Sequence, residues 1–416
     1  MPRTAASRAL VSRWPDAWLI AGVRTPFIDY MQAFALVSPI DLGIKAARAV
    51  LTRAGIAPGD VGTVIASSMA QTSYDAYLLP RHIGVYAGVP TEVPAHLVQR
   101  VCGSGIEIIG QAADTLLLGR ASLALCAGAE SMSRNPIAAY THRSGFRLGK
   151  PVEFKDFLWE ALLDPSVDTT MGGTAENLAR RYDIRRPEVD AYAARSFERA
   201  LAAQANGFFA GEIAAVENET FEAPGLRPRR LELSGRARTV DADTHVRPTS
   251  VETLARIRPA FGGVQTGGNS SGIVDGAAAA LVGSGEYVKR HGLAPLARIV
   301  ACVAVGVPAD VMGIGPVAAI RELLAATELD LAAIDRIEIN EAFGAQVLAC
   351  ARELGIDQAK LNVNGGAIAL GHPLGATGVR LVVTLARELQ RSGLRYGIAS
   401  ACIGGGQGIA MLIERA

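Results

Sequence analysis

The chain has 416 residues, 50% of them hydrophobic, enough to bury a large core and to fill two or three domains. Its 41 basic residues balance 40 acidic ones, and a net charge of +1 argues against a nucleic-acid or membrane-surface protein while leaving room for a local basic patch that meets phosphates. No apolar run approaches the roughly 18 residues of a membrane-spanning helix, and five scattered cysteines without Cys-x-x-Cys spacing disfavour a disulfide framework and a zinc site and fit a reducing compartment.

Taken in order, the first residues carry Arg3, Arg8 and Arg13 with no acid before Asp16. Targeting presequences share that pattern; a frayed extension of a cytoplasmic bacterial protein is the preferred reading. Trp18–Val23 then reads as a strand and Asp41–Ala54 as an amphipathic helix, and Pro58-Gly59-Asp60-Val61 leads into a strand at Thr63–Ser67. A helical pattern, Ile106–Leu118, precedes a short apolar strand running into glycine, Leu123–Gly128. The succession returns later. Ala297–Val307 reads as a strand, Pro316–Ala326 as a helix and Leu331–Asp335 as the lead into a strand at Arg336–Asn340, and Gly397–Gly404 is again an apolar strand running into glycine. This weak internal repeat predicts two α/β units of one topology, sheets sandwiched between helices. The segment from about Gly145 to Asn269 has no counterpart and reads as an insertion. It holds a helical pattern from Pro187 to Ala205 and the basic clusters Arg180-Arg181, Arg185-Arg186 and Arg227–Arg230, each arginine by itself better read as solvated surface. The C-terminal Glu-Arg-Ala is not a peroxisomal address.

Four stretches carry chemistry. Val101–Gly105, Val-Cys-Gly-Ser-Gly, sets Cys102 where a strand hands over to a helix, whose unpaired N–H groups and partial positive end favour a thiolate, so the position predicts an acidic nucleophile. Asn340–Phe343 is Asn-Glu-Ala-Phe. Gly371–Gly378, Gly-His-Pro-Leu-Gly-Ala-Thr-Gly, offers the imidazole of His372 at a second helix start, and Ala401–Gly408 offers Cys402 in a loop of bare backbone. If the halves pack about a pseudo-twofold, the helix starts bearing Cys102 and His372 converge on one site. Cys126 matches Cys402 in the repeat and reads as a buried structural thiol.

In this order the four stretches resemble the thiolases, which make or break the carbon–carbon bond of 3-oxoacyl-CoA thioesters, and the match runs from about Ala17 to the C-terminus. The resemblance implies a five-layered α-β-α-β-α sandwich of duplicated α/β halves. Its expected divisions are an extension at 1–16, a first half at 17–146 completed by about 275–294, a loop domain over the CoA site at 147–274, and a second half at 295–416. It implies Cys102 as the acylated nucleophile, His372 as its base, and Cys402 as the acid or base at carbon 2 of the acetyl unit. The N–H groups of Cys102 and Gly404 would hold one oxyanion, and His372 with a water fixed by Asn340 the other. Ser271, in Gly267–Gly272, falls where a hydroxyl meets the pantetheine amide, and Arg247 where an arginine lies against the CoA nucleotide. Met171 and Met312 align with methionines at the acyl end of the pocket. CoA would be substrate, with no permanently bound cofactor or metal.

Thr170 stands before Met171 where acetoacetyl-CoA-specific members have histidine, pointing to the broader-chain group of fatty-acid β-oxidation; Gly344 and Ser270 replace alanines at the pocket. The expected assembly is a homodimer or homotetramer, with room for a hydratase–dehydrogenase partner. Three rivals are a biosynthetic acetoacetyl-CoA thiolase, a decarboxylating 3-oxoacyl synthase, which has no need of Cys402, and a silent lipid-binding relative, which has no use for two reactive thiols.

Overall fold

A computed structural model of the chain describes residues 8–69, 76–140 and 142–416. Ten strands form one continuous sheet. They are β1 (Leu10–Arg24), β2 (Ile28–Asp29), β3 (Thr63–Ser67), β4 (Ala95–Val98), β5 (Leu123–Ser131), β6 (Val274–Ser284), β7 (Ala297–Gly306), β8 (Arg336–Ile339), β9 (Tyr396–Ile403) and β10 (Gln407–Arg415). The spatial order is β8-β9-β10-β7-β1-β6-β5-β3-β4, with β2 on β6. The repeat is visible in this order. In each half a parallel pair, β3–β5 or β8–β9, is followed by two antiparallel pairings, β5–β6–β1 or β9–β10–β7. In the second half β9 turns directly into β10 at 404–406. In the first half the inserted segment fills that same link, between β5 and β6.

Side-chain alternation explains the layers. In β6, Ala277, Ala279 and Leu281 face a core shared with α1 (Pro39–Ala54) and α2 (Leu79–Tyr86), while Ala278, Ala280 and Val282 face α3 (Ser104–Leu117). The insertion adds α4 (Met171–Arg181) and α5 (Arg186–Ala205). In β10, Ile409, Met411 and Ile413 face the same inner layer, and Ala410 and Leu412 face α6 (Gly315–Thr327) and α7 (Gly344–Leu354). Strands buried on both faces read as unbroken apolar runs, and these do. The inner layer is α3 beside α8 (Leu374–Ser392), packed against strands of both halves. The result is the five-layered sandwich, with helices outside, between and outside the two sets of strands.

One stretch differs from expectation. The first strand begins at Leu10, inside the stretch read as a frayed extension. Leu10–Arg13 pairs with Ala301–Ala304 of β7, the ladder slips between Arg13 and Ala17, and Trp14 is buried with its indole N–H on Asp114 at 2.7 Å. Residues 1–7 of that extension, Arg3 among them, lie outside the described residues. The arginine clusters of the insertion are mostly exposed, as expected, and only Arg186 and Arg229 are half-buried. Arg186 pairs with Asp190 at 2.7 Å, Arg229 with Asp41 at 2.6 Å, and Arg185 with Asp183 at 3.6 Å.

The catalytic helix starts meet through glycine. A Cβ on Gly105 of α3 would lie 2.5 Å from the Val379 nitrogen, and one on Gly378 of α8 would lie 2.3 Å from the Ile106 nitrogen. The two backbones therefore touch a few residues after Cys102 and His372. Backbone cannot yield as a flexible side chain can. Gly105→Ala is expected to cost about 1–3 kcal/mol by overpacking and, by parting the helix starts about an ångström, about a hundredfold in turnover. Gly59→Ala, with nothing within 4 Å, should change neither; urea unfolding and steady-state rates on both variants check the contrast.

Candidate active site

A tight turn delivers Cys102. Val101 takes φ +44°, the left-handed region that a β-branched residue enters only under strain. Ser104 holds the turn closed: its hydroxyl accepts the Arg100 N–H at 2.8 Å and donates to the Val101 carbonyl at 2.6 Å. Two backbone N–H groups, those of Gly404 and of Cys102 itself, are directed at the Cys102 sulfur. They are the pair expected to form an oxyanion site.

The expected acidity is not what the surroundings produce. Burial pushes the Cys102 thiol up to about 11, against the two N–H groups, and the charge of Glu130 adds to the rise. Removing the sulfur from water outweighs a helix terminus, which acts as about half a charge.

His372 is delivered by Gly371, at φ +95°, and by a hydrogen bond from its own N–H to the Gly272 carbonyl at 3.0 Å. Its tautomer follows from Thr377. That hydroxyl donates its single proton to the Pro373 carbonyl at 3.0 Å, so at 2.6 Å from His372 Nδ1 it accepts, and Nδ1 carries the hydrogen. Nε2 is left as the base. It lies 3.2 Å from Asn340 Nδ2, while Asn340 Oδ1 is buried without a partner among the described residues. Burial, then the nearby Arg380 charge, push the imidazole down to about 3.

The resting pair is therefore a neutral thiol and a neutral imidazole. Between about pH 3 and about pH 11 neither changes state, and the thiolate fraction of Cys102 climbs with pH throughout. Alkylation of Cys102 by iodoacetamide in the free enzyme is expected to quicken about tenfold per pH unit from neutral to alkaline pH. A rate already level at pH 7 would mean a preformed thiolate–imidazolium pair.

Cys402 is fully buried at the end of β9. Burial, then the charges of Cys102 and Cys350, push its thiol well above the ordinary range, so the two expected reactive sulfurs lie close enough to sense each other. Cys402 packs with Met171, Met312, Ala342 and Phe343, while Cys102 packs with Met132, Leu158 and Leu374. A cavity of ≈ 440 Å³ opens in front of them, lined by His372, Leu374, Met132, Met171, Phe343 and Ser271, among others. The sulfurs sit behind its inner wall. Gly404 leaves room there: a Cβ would stand 3.2 Å from the Met171 sulfur.

Of the remaining expected residues, Ser271 lines the cavity, its N–H on the Ala342 carbonyl at 3.0 Å. Met312 is 2% exposed beside Cys402 and is not part of the cavity wall. Arg247 is exposed and also outside that wall, its guanidinium 5.2 Å over the Phe197 ring and 3.1 Å from the His245 carbonyl. None of the arginine clusters of the insertion lines the cavity either.

Two buried carboxylates that the sequence did not single out hold the frame. Glu130, at the end of β5, accepts from the Gly375 N–H at 2.9 Å and the Met69 N–H at 2.8 Å, tying the half that bears Cys102 to the helix start that follows His372. Glu341 accepts from Tyr192, Ser196, Asn362 and the Ile368 N–H at 2.7–3.1 Å, clamping the turn before His372 to the inserted helix Arg186–Ala205. The only available signal for Glu130 was an acid directly after an apolar strand.

The family pattern "Thiolase, N-terminal domain" matches residues 17–286 and "Thiolase, C-terminal domain" matches 293–415. Over 400 residues the chain is 42% identical to the mitochondrial 3-ketoacyl-CoA thiolase of Homo sapiens, covering 95% of this chain and 98% of that one. It is 40% identical over 410 residues to the beta-ketoadipyl-CoA thiolase of Acinetobacter baylyi, covering 96% and 99%. The crystal structure of human mitochondrial 3-ketoacyl-CoA thiolase in complex with CoA superposes with a TM-score of 0.91 at 40% identity, covering 99% of this chain and 100% of that one.

Proposed function

The chain belongs to the thiolase family, and on that premise we propose that it cleaves 3-oxoacyl-CoA in two stages through an acyl group on Cys102. It is an acyltransferase with thiolase activity; the route and the roles of its residues are our reading. In the first stage the Cys102 proton passes to His372 Nε2 as sulfur bonds to the keto carbon. With a neutral thiol at about 11 and a neutral imidazole at about 3, the two events belong together. Charge then appears on the carbonyl oxygen between the N–H groups of Cys102 and Gly404 and not on a bare thiolate. The bond between carbons 2 and 3 breaks, leaving the acyl group on sulfur. The acetyl-CoA enolate, its oxygen met by His372 Nε2–H and a water on Asn340, takes the Cys402 proton at carbon 2. In the second stage the Cys402 thiolate removes the proton of a new CoA, whose sulfur attacks the acyl group. Cys102 leaves as thiolate and recovers its proton from His372. Protons balance over the cycle.

The observation that carries this reading is the convergence of two backbone N–H groups on the Cys102 sulfur, with a second sulfur near enough to sense its charge and a base of defined tautomer beside Asn340. Mixing the enzyme with a 3-oxoacyl-CoA in the absence of CoA, then denaturing it for mass spectrometry, should find the shortened acyl group on the Cys102 peptide, and added CoA should remove it. Turnover without such an adduct sinks the two-stage route.

Thr170 in place of histidine, and the apolar cavity residues Met132, Trp159, Leu162 and Leu374, support 3-oxoacyl groups longer than acetoacetyl and a role in fatty-acid breakdown. A rate profile over chain length checks this; turnover confined to acetoacetyl-CoA sinks it. Five cysteines without a disulfide support a reducing compartment such as the bacterial cytoplasm, and bacterial relatives at about the same identity point the same way. The edge strand β4, open at the end of the sheet with Leu97 39% exposed, supports a homo-oligomer.

A further inference from the structure

Of the histidines outside the catalytic group, His245 stands apart. It lines the same cavity as His372 and Ser271, and its Nε2 is buried without a partner among the described residues. Nδ1 lies 2.5 Å from Asp29 Oδ1, with Arg247 Nη1 at 3.2 Å from the same nitrogen. Asp29 is itself fixed. The strand Ile28–Asp29 pairs with Val274–Asp275, the Asp29 N–H is given to the Thr244 hydroxyl at 2.8 Å, and that hydroxyl donates to Asp29 Oδ2 at 3.0 Å. Two residues before His245, Asp243 accepts from the buried Arg24 at 2.6 Å. The imidazole ring lies against Gly272, where a Cβ would come within 2.8 Å of Nε2, and its centroid is 6.1 Å from that of Phe197. Gly272 in turn accepts the His372 N–H. The two imidazoles thus share one wall, with a glycine between them.

A ring held this firmly with one nitrogen unused is a binding group waiting for its ligand. Asp29 accepts the Thr244 hydroxyl on Oδ2 at 3.0 Å and takes the Nδ1–H on Oδ1, and in the neutral ring Nε2 then presents a lone pair. A buried acceptor left without a donor is costly, so a ligand that brings an N–H or O–H gains by meeting it. The cavity residues around the catalytic end are mostly apolar. Of a CoA thioester, the part that offers such donors within a narrow channel is the pantetheine arm, with two amide N–H groups and a hydroxyl.

We propose that His245, oriented by Asp29, is a substrate-binding residue whose Nε2 accepts a hydrogen bond from the pantetheine arm of the CoA thioester. This rests on the thiolase reading above. The contact is made alike in ground state and transition state, so its loss belongs in KM and not in kcat.

The test compares wild type with His245→Leu, His245→Gln and Asp29→Asn, each against CoA by calorimetry and against acetoacetyl-CoA and acetoacetyl-pantetheine in steady state. His245→Leu is expected to weaken CoA binding and raise KM for both thioesters about five- to tenfold, the worth of one neutral hydrogen bond, with kcat held within about twofold. His245→Gln, which puts an amide near the place of Nε2, should recover most of that loss, and Asp29→Asn should fall between. His245→Leu binding CoA as tightly as wild type overturns the proposal. So does a penalty that disappears with acetoacetyl-pantetheine, which would assign the contact to the nucleotide end. If His245→Leu is misfolded, the Gln and Asn variants still decide: equal CoA affinity in His245→Gln and a loss in Asp29→Asn are required. Wild-type protein that binds CoA yet cleaves no 3-oxoacyl-CoA sinks the thiolase reading alone, since the calorimetry continues to read His245.

Discussion

Cys102→Ala is expected to lower thiolysis by about four to six orders of magnitude, to a rate at which no acyl-enzyme can be trapped. The size of the effect follows from what remains. His372 Nε2, the N–H groups of Cys102 and Gly404, and Cys402 would all keep their places, yet none can hold the acyl group between the two halves of the cycle. Cys402 is no substitute. It is fully buried behind Met171 and Met312, and its thiol is pushed further from ionisation than an ordinary one by burial and by its sulfur neighbours. The substitution itself is mild for the fold: it removes one sulfur from a small cluster with Met132, Leu158 and Leu374, and the turn is held by Ser104 and not by the thiol. CoA affinity should therefore survive while turnover does not, and calorimetry beside a thiolysis assay measures both. Residual turnover above about a hundredth of wild type would move the nucleophile elsewhere.

How far the chain could be read in advance differs from part to part, for physical reasons. The repeat was legible because strands buried on both faces, such as Val274–Ser284, leave unbroken apolar runs. The starts of α3 and α8 were legible because their approach tolerates only glycine, and Gly105 and Gly378 stand there in sequence. The strand at Leu10–Arg13 was hidden by Ser12, Arg13 and Pro15, whose polarity and missing donor imitate a loose end; pairing with β7 and the burial of Trp14 decide otherwise. The ionisation of Cys102 was misjudged because a helix terminus shows in sequence and burial does not. Glu130 with Gly375, and Asp29 with His245, join residues far apart in the chain. No local pattern announces such pairs, and a lone histidine or acid is by itself more often surface than site. Thr377 lay inside a stretch already singled out, yet its use, fixing the tautomer of His372, appears only once the Pro373 carbonyl is seen to take its proton.

Cys402→Ala is expected to separate the two chemistries that thiolysis joins. Breaking the bond between carbons 2 and 3 leaves carbanion character on the acetyl unit, and a proton must arrive at carbon 2. In the condensing direction one must leave it. Without the Cys402 thiol that step loses its acid and base, a loss of about two to four orders of magnitude for one positioned group. Exchange of an acyl group between acyl-CoA and labelled free CoA moves no carbon-2 proton, so Cys402 is never left as the thiolate that takes the CoA proton in thiolysis. It needs the Cys102 sulfur, the N–H groups of Cys102 and Gly404, and His372 to carry the proton between the two thiols. Exchange should therefore fall by less than about tenfold in the same variant, and deuterium uptake from solvent into the methyl group of acetyl-CoA should fall with thiolysis. The distinction matters because Cys402 is also a packing residue against Met171, Met312 and Phe343. If the sulfur only props the cavity open, removing it should damage exchange and thiolysis alike. If thiolysis stays within a few-fold of wild type, the carbon-2 proton comes from another group. Only a wide gap between the two rates, with methyl exchange on the losing side, assigns that proton to Cys402.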